Sequence, residues 1–507
     1  MAAENAALPG GKVGGVGDVV RDLPVALADL GWRTTVLTPE YGIFGRLAGA
    51  SLAGTLEVAF AGKTLAVRAI EIPGPDERVH HVALEHPLFT PQGAGRIYCD
   101  DGPARPFATD AGKFALLSAA AAAYVAGLDP APDVVHLHDW HAALYCALRE
   151  FDARYARLQP IRTVYTIHNL AMQGVRPYAG DSSSLASWFP GFVFDPDRLR
   201  DPRYPDCINA MATAIRLADR VSTVSPTYAR EILEPNDPAR NFRGGEGLEA
   251  DLRRCNAAGR LFGILNGCSY PRRDRRRPGW RRLLDTIGAE LETWTERWPE
   301  RRHLHELARR SLEAMPKKRP DNLLTSIGRL TDQKAALFLE RLPDGSTALE
   351  RILEDLDRGV LILVGSGDRD LEASIGEIAR RHRNLLFLCG YSETFTDLLY
   401  KAGDLFLMPS SFEPCGISQM LAMRELQPCV VHAVGGLKDT VRDGVNGFAF
   451  GGDSASAQAR NFVAKIAAAL AMKSGAPDAW LAIRERAGAA RFDWREAAAR
   501  YIGDLYE

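Results

Sequence analysis

The sequence predicts an α/β protein built from two doubly wound, parallel-sheet domains, and three observations predict it. Short β-branched runs alternate with longer helical stretches, the rhythm starts afresh in the second half of the chain, and glycine-rich or charged motifs follow directly on the strand runs. Open parallel sheets bind ligands beyond the carboxyl ends of their strands. Two such Rossmann-like domains facing one another are therefore expected to enclose a central cleft.

In chain order, the strand runs of the first domain, assigned to 1–262, are 33–38 (RTTVLT), 133–137 (DVVHL), 163–167 (TVYTI) and 220–225 (RVSTVS), with alanine-rich helical stretches between some of them. Residues 263–320 are assigned as a linker or insertion, because 271–320 is rich in Arg, Glu and Pro and lacks strand patterning, though 304–315 reads as helical. The second domain, 321–485, carries the runs 323–328, 360–365, 384–390, 404–410 and 429–434. In 486–507, Trp494, Ala497, Ala498, Tyr501, Ile502 and Leu505 share one helix face, which predicts a closing helix.

Bulk properties narrow the function classes. The chain has 507 residues, 46% apolar and 25% charged, with a net charge of -2, so no global attraction to nucleic acid or an anionic membrane is expected. Any bound anion must be held locally. The eight cysteines contain no C-x-x-C pair and suit reduced thiols in a cytosol. Neither a signal peptide nor a run of about 20 apolar residues is indicated, so a cytoplasmic protein is expected.

The motifs after the strands carry the chemistry. In GGKVGGVGD, Lys12, Gly14, Gly15 and Gly17 precede a helical pattern of Val19, Leu23, Leu27 and Leu30, with Asp18 in its first turn and Pro24 as a kink or restart. Glycines there let amides approach an anion and Lys12 adds a charge, which predicts a phosphate or sugar contact, with a plain turn as the alternative. His138, Asp139 and His141 of HLHDWHA follow a buried strand without further metal ligands and suit sugar hydroxyls better than a metal. His168 and Asn169 of TIHN end another strand, although a lone histidine is more often structural.

The second domain gives stronger signals. Arg329 and Lys334 of GRLTDQK can converge on a diphosphate, or else be a solvated helix start. The VGSGD turn at 364–368 and CGYSE follow, where Tyr391 can stack on a base or pack in the core. In MPSSFEPCGISQ, Glu413, Pro414, Cys415 and Gly416 lead into a helix, so a carboxylate beside amides can hold sugar hydroxyls. No partnered base marks Cys415 as a nucleophile. VGGLKDTV places Gly435 and Gly436 in a tight turn with Thr440 able to reach phosphate. The seven arginines between 272 and 282 accompany one aromatic, Trp280, and read as a solvated surface rather than a nucleic-acid patch.

Taken together and in order, these segments resemble the bacterial glycogen synthase and plant starch synthase family. The likeness runs from K-V-G-G at Lys12 through H-D-W-H-A at 138–142, T-I-H-N at 166–169, G-x-G-L-E at 245–249, I-L-N-G at 264–267, R-L-T-x-Q-K at 329–334 and F-E-P-C-G at 412–416 to G-G-L-x-D-T-V at 435–441. Leu421 stands where a neighbouring class of retaining transferases has a second glutamate.

The resemblance implies the two-domain GT-B glycosyltransferase fold, no metal or other cofactor, and retention of configuration. Glucose would pass from a nucleotide-diphosphoglucose, ADP-glucose ahead of UDP-glucose, to the non-reducing end of an α-1,4-glucan such as glycogen. It implies catalytic roles for His168 at the reacting sugar, for Asp139 and Glu413, and for Arg329 and Lys334 on the diphosphate. Substrate contacts fall to Lys12, Gly14, Gly15, Asp18, Asn266, Tyr391, Cys415, Gly416 and Thr440. The sequence departs from the family pattern in three places. Only MAAENAALPGG stands before Lys12, so a central strand is expected to be cut short; Asn266-Gly267-Cys268-Ser269 lacks the usual aspartate; and Ser411 replaces an arginine. The rivals are a related transferase with another sugar or acceptor, a non-catalytic glucan-binding homologue, and a nucleic-acid binder using the arginine run.

Overall fold

The computed structural model describes residues 1–103, 105–270 and 276–507. They form two compact units. Unit 1 comprises Met1–Asn236, Gly244–Ser269 and Asp493–Glu507, and unit 2 comprises Asp237–Arg243 and Tyr270–Phe492.

Unit 1 contains two four-stranded sheets. Strands β1 (Thr34–Pro39), β2 (Ser51–Phe60), β3 (Lys63–Ile72) and β4 (Val79–Glu85) are ordered β1-β4-β3-β2, with β1 and β4 parallel and the other pairs antiparallel. Strands β5 (Val134–His138) and β6 (Arg162–Ile167) precede a short ribbon, β7 (Val175–Pro177) with β8 (Cys207–Asn209). With β9 (Arg220–Thr223) and β10 (Leu261–Gly263) they give a parallel sheet ordered β10-β9-β6-β5.

The Ala2 amide donates to the Leu37 carbonyl at 3.1 Å, the Met1 nitrogen to His136 O at 2.7 Å, and the His138 amide to Met1 O at 3.1 Å, so Met1 and Ala2 stitch β1 to β5. The antiparallel β2–β3 hairpin has no counterpart in the sequence reading.

Helix Gly15–Asp29 runs unbroken through Pro24. Its apolar face, Val19, Leu23 and Leu27, packs against Trp494, Ala498, Tyr501 and Leu505, so the chain's last helix, Trp494–Tyr501, closes unit 1. Helix Ala108–Ala126 is almost wholly buried, which its run of small alanines permits.

Unit 2 holds β11 (Asn322–Ile327), β12 (Gly359–Val364), β13 (Leu385–Leu388), β14 (Leu405–Met408), β15 (Cys429–His432) and β16 (Phe448–Phe450), all parallel, in the order β13-β12-β11-β14-β15-β16. This is the doubly wound order that reverses beside its first strand, here between β11 and β14, where such folds bind ligands. Strands β12, β13, β14 and β15 are buried along their whole length, as parallel strands covered on both faces require.

The structure departs from the sequence reading over 263–320. Residues 263–269 belong to unit 1, and beyond them helices Trp280–Arg297 and Arg302–Glu313 are part of unit 2. Trp280, Leu283, Ile287, Leu291 and Trp294 are buried against Leu386, Leu388 and Phe395, so this charged segment is an amphipathic layer on the sheet. The break expected at 486 falls at Asp493, because helix Pro477–Ala489 stays with unit 2. Of the arginine run, Arg272, Arg273 and Arg275 lie outside the described residues. Arg277 pairs with the buried Asp404 at 3.0 Å, alongside Arg319 at 2.9 Å and Lys473 at 3.0 Å.

Candidate active site

Each unit gathers its own set of the expected residues at strand ends. In unit 2, β11 runs into Gly328 and Arg329, and helix Asp332–Leu339 places Lys334 in its first turn. Across the switch point, β14 runs into Ser410, Ser411 and Glu413. Lys334 Nζ lies 3.1 Å from Glu413 Oε2, and the buried Ser410 hydroxyl donates to the same oxygen at 3.0 Å. Backbone pins the two loops: the Ser411 amide donates to Gln333 O at 2.7 Å, and Gln333 Nε2 to Phe412 O at 3.0 Å. Arg329 is exposed and makes no ion pair with any described residue. A cation held by its own carboxylate thus stands beside one that is free for an anion.

The turn after Glu413 depends on two glycines. Gly416 has a φ of 76°, and a Cβ on Gly436 would lie 2.2 Å from Cys415 O. That close approach lets the Gly436 amide donate to Glu413 O at 3.0 Å, which joins F-E-P-C-G to G-G-L-x-D-T-V. Cys415 is buried. The phosphate contact expected of Thr440 does not fit its placement. Its buried hydroxyl donates to Gly436 O at 2.7 Å and accepts from Gln419 Nε2 at 3.2 Å, so it braces the turn. Gln419, which sequence reasoning missed, also donates to Cys415 O at 3.2 Å and Gly416 O at 3.0 Å. Its place in the first turn of the helix after the motif, Ser418–Arg424, was the available signal. Tyr391 is 51% exposed, which sets it outside the core.

In unit 1, the glycine loop is arranged otherwise than expected. The amides of Val13 and Gly14 donate to the carboxylate of Glu4 at 2.8 and 2.6 Å, so the anion they hold is the protein's own. Tyr98 Oη donates to the other Glu4 oxygen at 2.8 Å. Glu4 was not legible as a site residue, since its partner amides lie nine and ten positions away with no fixed motif. Lys12 Nζ pairs with Asp18 Oδ1 at 2.8 Å, and nothing crowds Gly15.

Asp139 and His168 come together at the ends of β5 and β6. Asp139 has φ 55° and ψ -175°, a conformation that costs a non-glycine residue about 1–3 kcal/mol and is kept where function needs it. Its carboxylate accepts the His168 amide at 2.7 Å. Burial pushes this carboxyl up to about 7, against the opposing pull of the His168 and Asn169 amides. His168 is pushed down to about 3 by burial, so it is a neutral imidazole near pH 7. Its Nε2 meets His138 Nδ1 at 2.9 Å, and its Nδ1 has no hydrogen-bond partner among the described residues. His138 stacks on His136 with centroids 4.2 Å apart, and His136 is fixed by Tyr506 Oη at 2.8 Å and Thr166 Oγ1 at 2.7 Å.

Asn266 follows β10. Its Oδ1 is buried without a hydrogen-bond partner among the described residues, the condition expected where a ligand supplies the donor. Gly267 beside it has no room for a Cβ, which would lie 2.4 Å from Trp494 Cγ.

Comparison with known proteins follows the same division. Residues 1–254 match the family described as starch synthase catalytic domain, and residues 321–471 match glycosyl transferases group 1. The chain is 32% identical over 528 aligned positions to a glycogen synthase of Streptococcus equi subsp. equi (strain 4047), covering 100% of this chain and 98% of that one. It is 36% identical over 446 positions to a glycogen synthase of Anaeromyxobacter sp. (strain Fw109-5), covering 86% and 83%. Among solved structures it is similar to the catalytic domain of starch synthase IV from Arabidopsis thaliana bound to ADP and acarbose, with a TM-score of 0.75, 27% identity, and coverage of 99% and 97%.

Proposed function

Because the chain belongs to the glycogen synthase and starch synthase family of glycosyltransferases, we propose that it moves glucose from ADP-glucose to the non-reducing end of an α-1,4-glucan with retention of configuration. The Lys334–Glu413 pair at the strand-order reversal of unit 2 carries the reading. Lys334 and the exposed Arg329 take the diphosphate, which supports neutralising the leaving group without a metal. Glu413, set by Lys334, Ser410 and the Gly436 turn, accepts glucose hydroxyls. Tyr391 stacks on the base, and the ADP bound to the Arabidopsis relative supports adenine there.

In unit 1, His168 offers neutral Nδ1 to the reacting sugar, while Asp139 fixes its backbone and His138 its ring. Asn266 and the Lys12 loop bind further hydroxyls or phosphate. In the reaction the bond from glucose C1 to the β-phosphate oxygen breaks, C1 bonds the acceptor O4, and the acceptor proton passes to the departing phosphate. No protein nucleophile is needed. The eight cysteines, none in a disulfide, support a reducing cytoplasm.

Glucose incorporation into glycogen, measured from ADP-glucose and UDP-glucose in the presence of a chelator, tests the reading. Incorporation is expected from ADP-glucose, falling by about 10²-fold or more in both Lys334→Ala and Glu413→Ala. No incorporation from either donor by the folded protein would overturn it, and a UDP-glucose preference would overturn the donor assignment.

A further inference from the structure

Unit 2 contains an ion pair, Arg301 with Glu372, that no step of the proposed reaction uses. Arg301 ends the turn Pro299–Arg301 between helices Trp280–Arg297 and Arg302–Glu313, inside the segment whose sequence reads as a linker. Its Nε lies 3.1 Å from both carboxylate oxygens of Glu372, and its Nη2 lies 2.9 Å from Oε1. Glu372 is buried and Arg301 largely covered. Removing one partner of such a pair leaves the other as an uncompensated buried charge.

The same carboxylate holds a backbone group. The Gly367 amide donates to Glu372 Oε1 at 2.8 Å, the oxygen that Arg301 Nη2 also meets. Gly367 belongs to the VGSGD turn at 364–368, which lies directly on the backbone of 328–330. The Gly328 amide donates to Val364 O at 3.1 Å, the Leu330 amide to Ser366 O at 3.0 Å, and the Asp368 amide to Leu330 O at 2.8 Å. A Cβ on Gly367 would stand 2.2 Å from Leu330 O, so the two backbones leave no space between them. Both neighbours of Arg329 therefore hang on the turn, and the turn hangs on Glu372. The helix that follows Arg301 is fixed as well, because His305 Nε2 donates to Cys389 O, just beyond β13, at 3.0 Å.

We propose that Arg301 is a positioning residue for the diphosphate of the nucleotide-sugar, acting through Glu372 and the Gly367 amide to set the backbone that carries Arg329. The assignment rests on Arg329 being a diphosphate ligand. An exposed arginine has many rotamers, so the precision with which it meets an anion comes from the backbone beneath it. With Arg301 gone, Glu372 turns toward water, the Gly367 amide loses its acceptor, and the turn under Arg329 loosens. Ground-state binding of the donor then weakens, which appears in its KM. The charged segment around Arg301 thus supports the donor site as well as covering the sheet.

Hydrogen exchange on the full chain tests the coupling without any substrate. In Arg301→Ala, the amides of Leu330, Gly367 and Asp368 are expected to exchange at least about tenfold faster than in the parent, with Leu361 and Ile362 of β12 unchanged. Parent-like exchange at Leu330 would overturn the proposal. Steady-state kinetics separates positioning from folding. KM for the nucleotide-sugar is expected to rise about fivefold or more while KM for the glucan stays the same. A lowered Tm with an unchanged donor KM would make Arg301 a stability residue and contradict the assignment. Arg301→Lys keeps a cation on Glu372, and with it the fold, but offers one nitrogen where arginine offers two. It is expected to show both changes at smaller size, and no change in either readout would count against the proposal. If the parent transfers glucose from no donor, the proposed reaction fails, and exchange at Leu330 still decides the role of Arg301.

Discussion

At the scale of single residues, the site is built from groups held against their ordinary preferences. The strained backbone and buried carboxyl of Asp139 have opposite consequences for stability from those of the imidazoles beside it. Its pKa, pushed up to about 7, lies above the unfolded value near 3.9, so its contribution is full below about pH 4 and is lost as pH rises through 7. His168 and His141, both pushed down to about 3 with burial as the leading cause, contribute above about pH 6.5 and lose it as pH falls through 3. Asp139→Asn removes only the first contribution. The stability of this variant relative to the parent is therefore expected to rise from pH 4 to pH 7 in urea titrations; a flat or falling difference would contradict the assignment. His138→Phe keeps ring packing and removes the bond to His168. A neutral hydrogen bond is worth ~1 kcal/mol, so kcat should fall roughly fivefold with KM for the donor little changed. Equal losses in kcat and Tm-normalised folded fraction would mean that His138 is only structural.

At the scale of elements, the parallel strands were legible because they are buried on both faces and read as continuous apolar runs, and the site residues because they sit at the ends of those runs. Arg329, Lys334 and Glu413 were picked out this way, as were Asp139 and His168, and the structure places each just beyond a strand end. What the sequence hid has a common cause: the partner is distant in the chain. Glu4 holding the Val13 and Gly14 amides, Gln419 bracing Thr440, and the helices of 280–313 covering the sheet all depend on contacts no local pattern encodes. The Thr440 hydroxyl differs in that its bond is local, to the Gly436 carbonyl one helical turn back. The glycines are more readable than their neighbours because close approach leaves no substitute. Gly436→Ala would force Cys415 away from the turn and is expected to cut activity at least ~10²-fold while lowering Tm by a few degrees. Wild-type activity in that variant would show that the Glu413 turn tolerates movement.

At the scale of the whole molecule, unit 2 is an almost continuous stretch, 270–492 with a small piece at 237–243, whereas unit 1 is assembled from both halves of the sequence. Trp494 and Tyr501 seal the apolar face of helix Gly15–Asp29. Trp494→Ala is expected to cost unit 1 about 3–5 kcal/mol, lowering one calorimetric transition and leaving that of unit 2 in place. A shift of both together would mean the two units unfold as one. The same arrangement sets an order of events during synthesis. At ~5–20 residues per second, a ribosome needs roughly 10–45 s to travel from Ser269 to Asp493. Throughout that interval Val19, Leu23 and Leu27 have emerged and their cover has not, so the first unit to be made is the last to be finished, and the nascent chain carries an unroofed apolar seam for chaperones to hold.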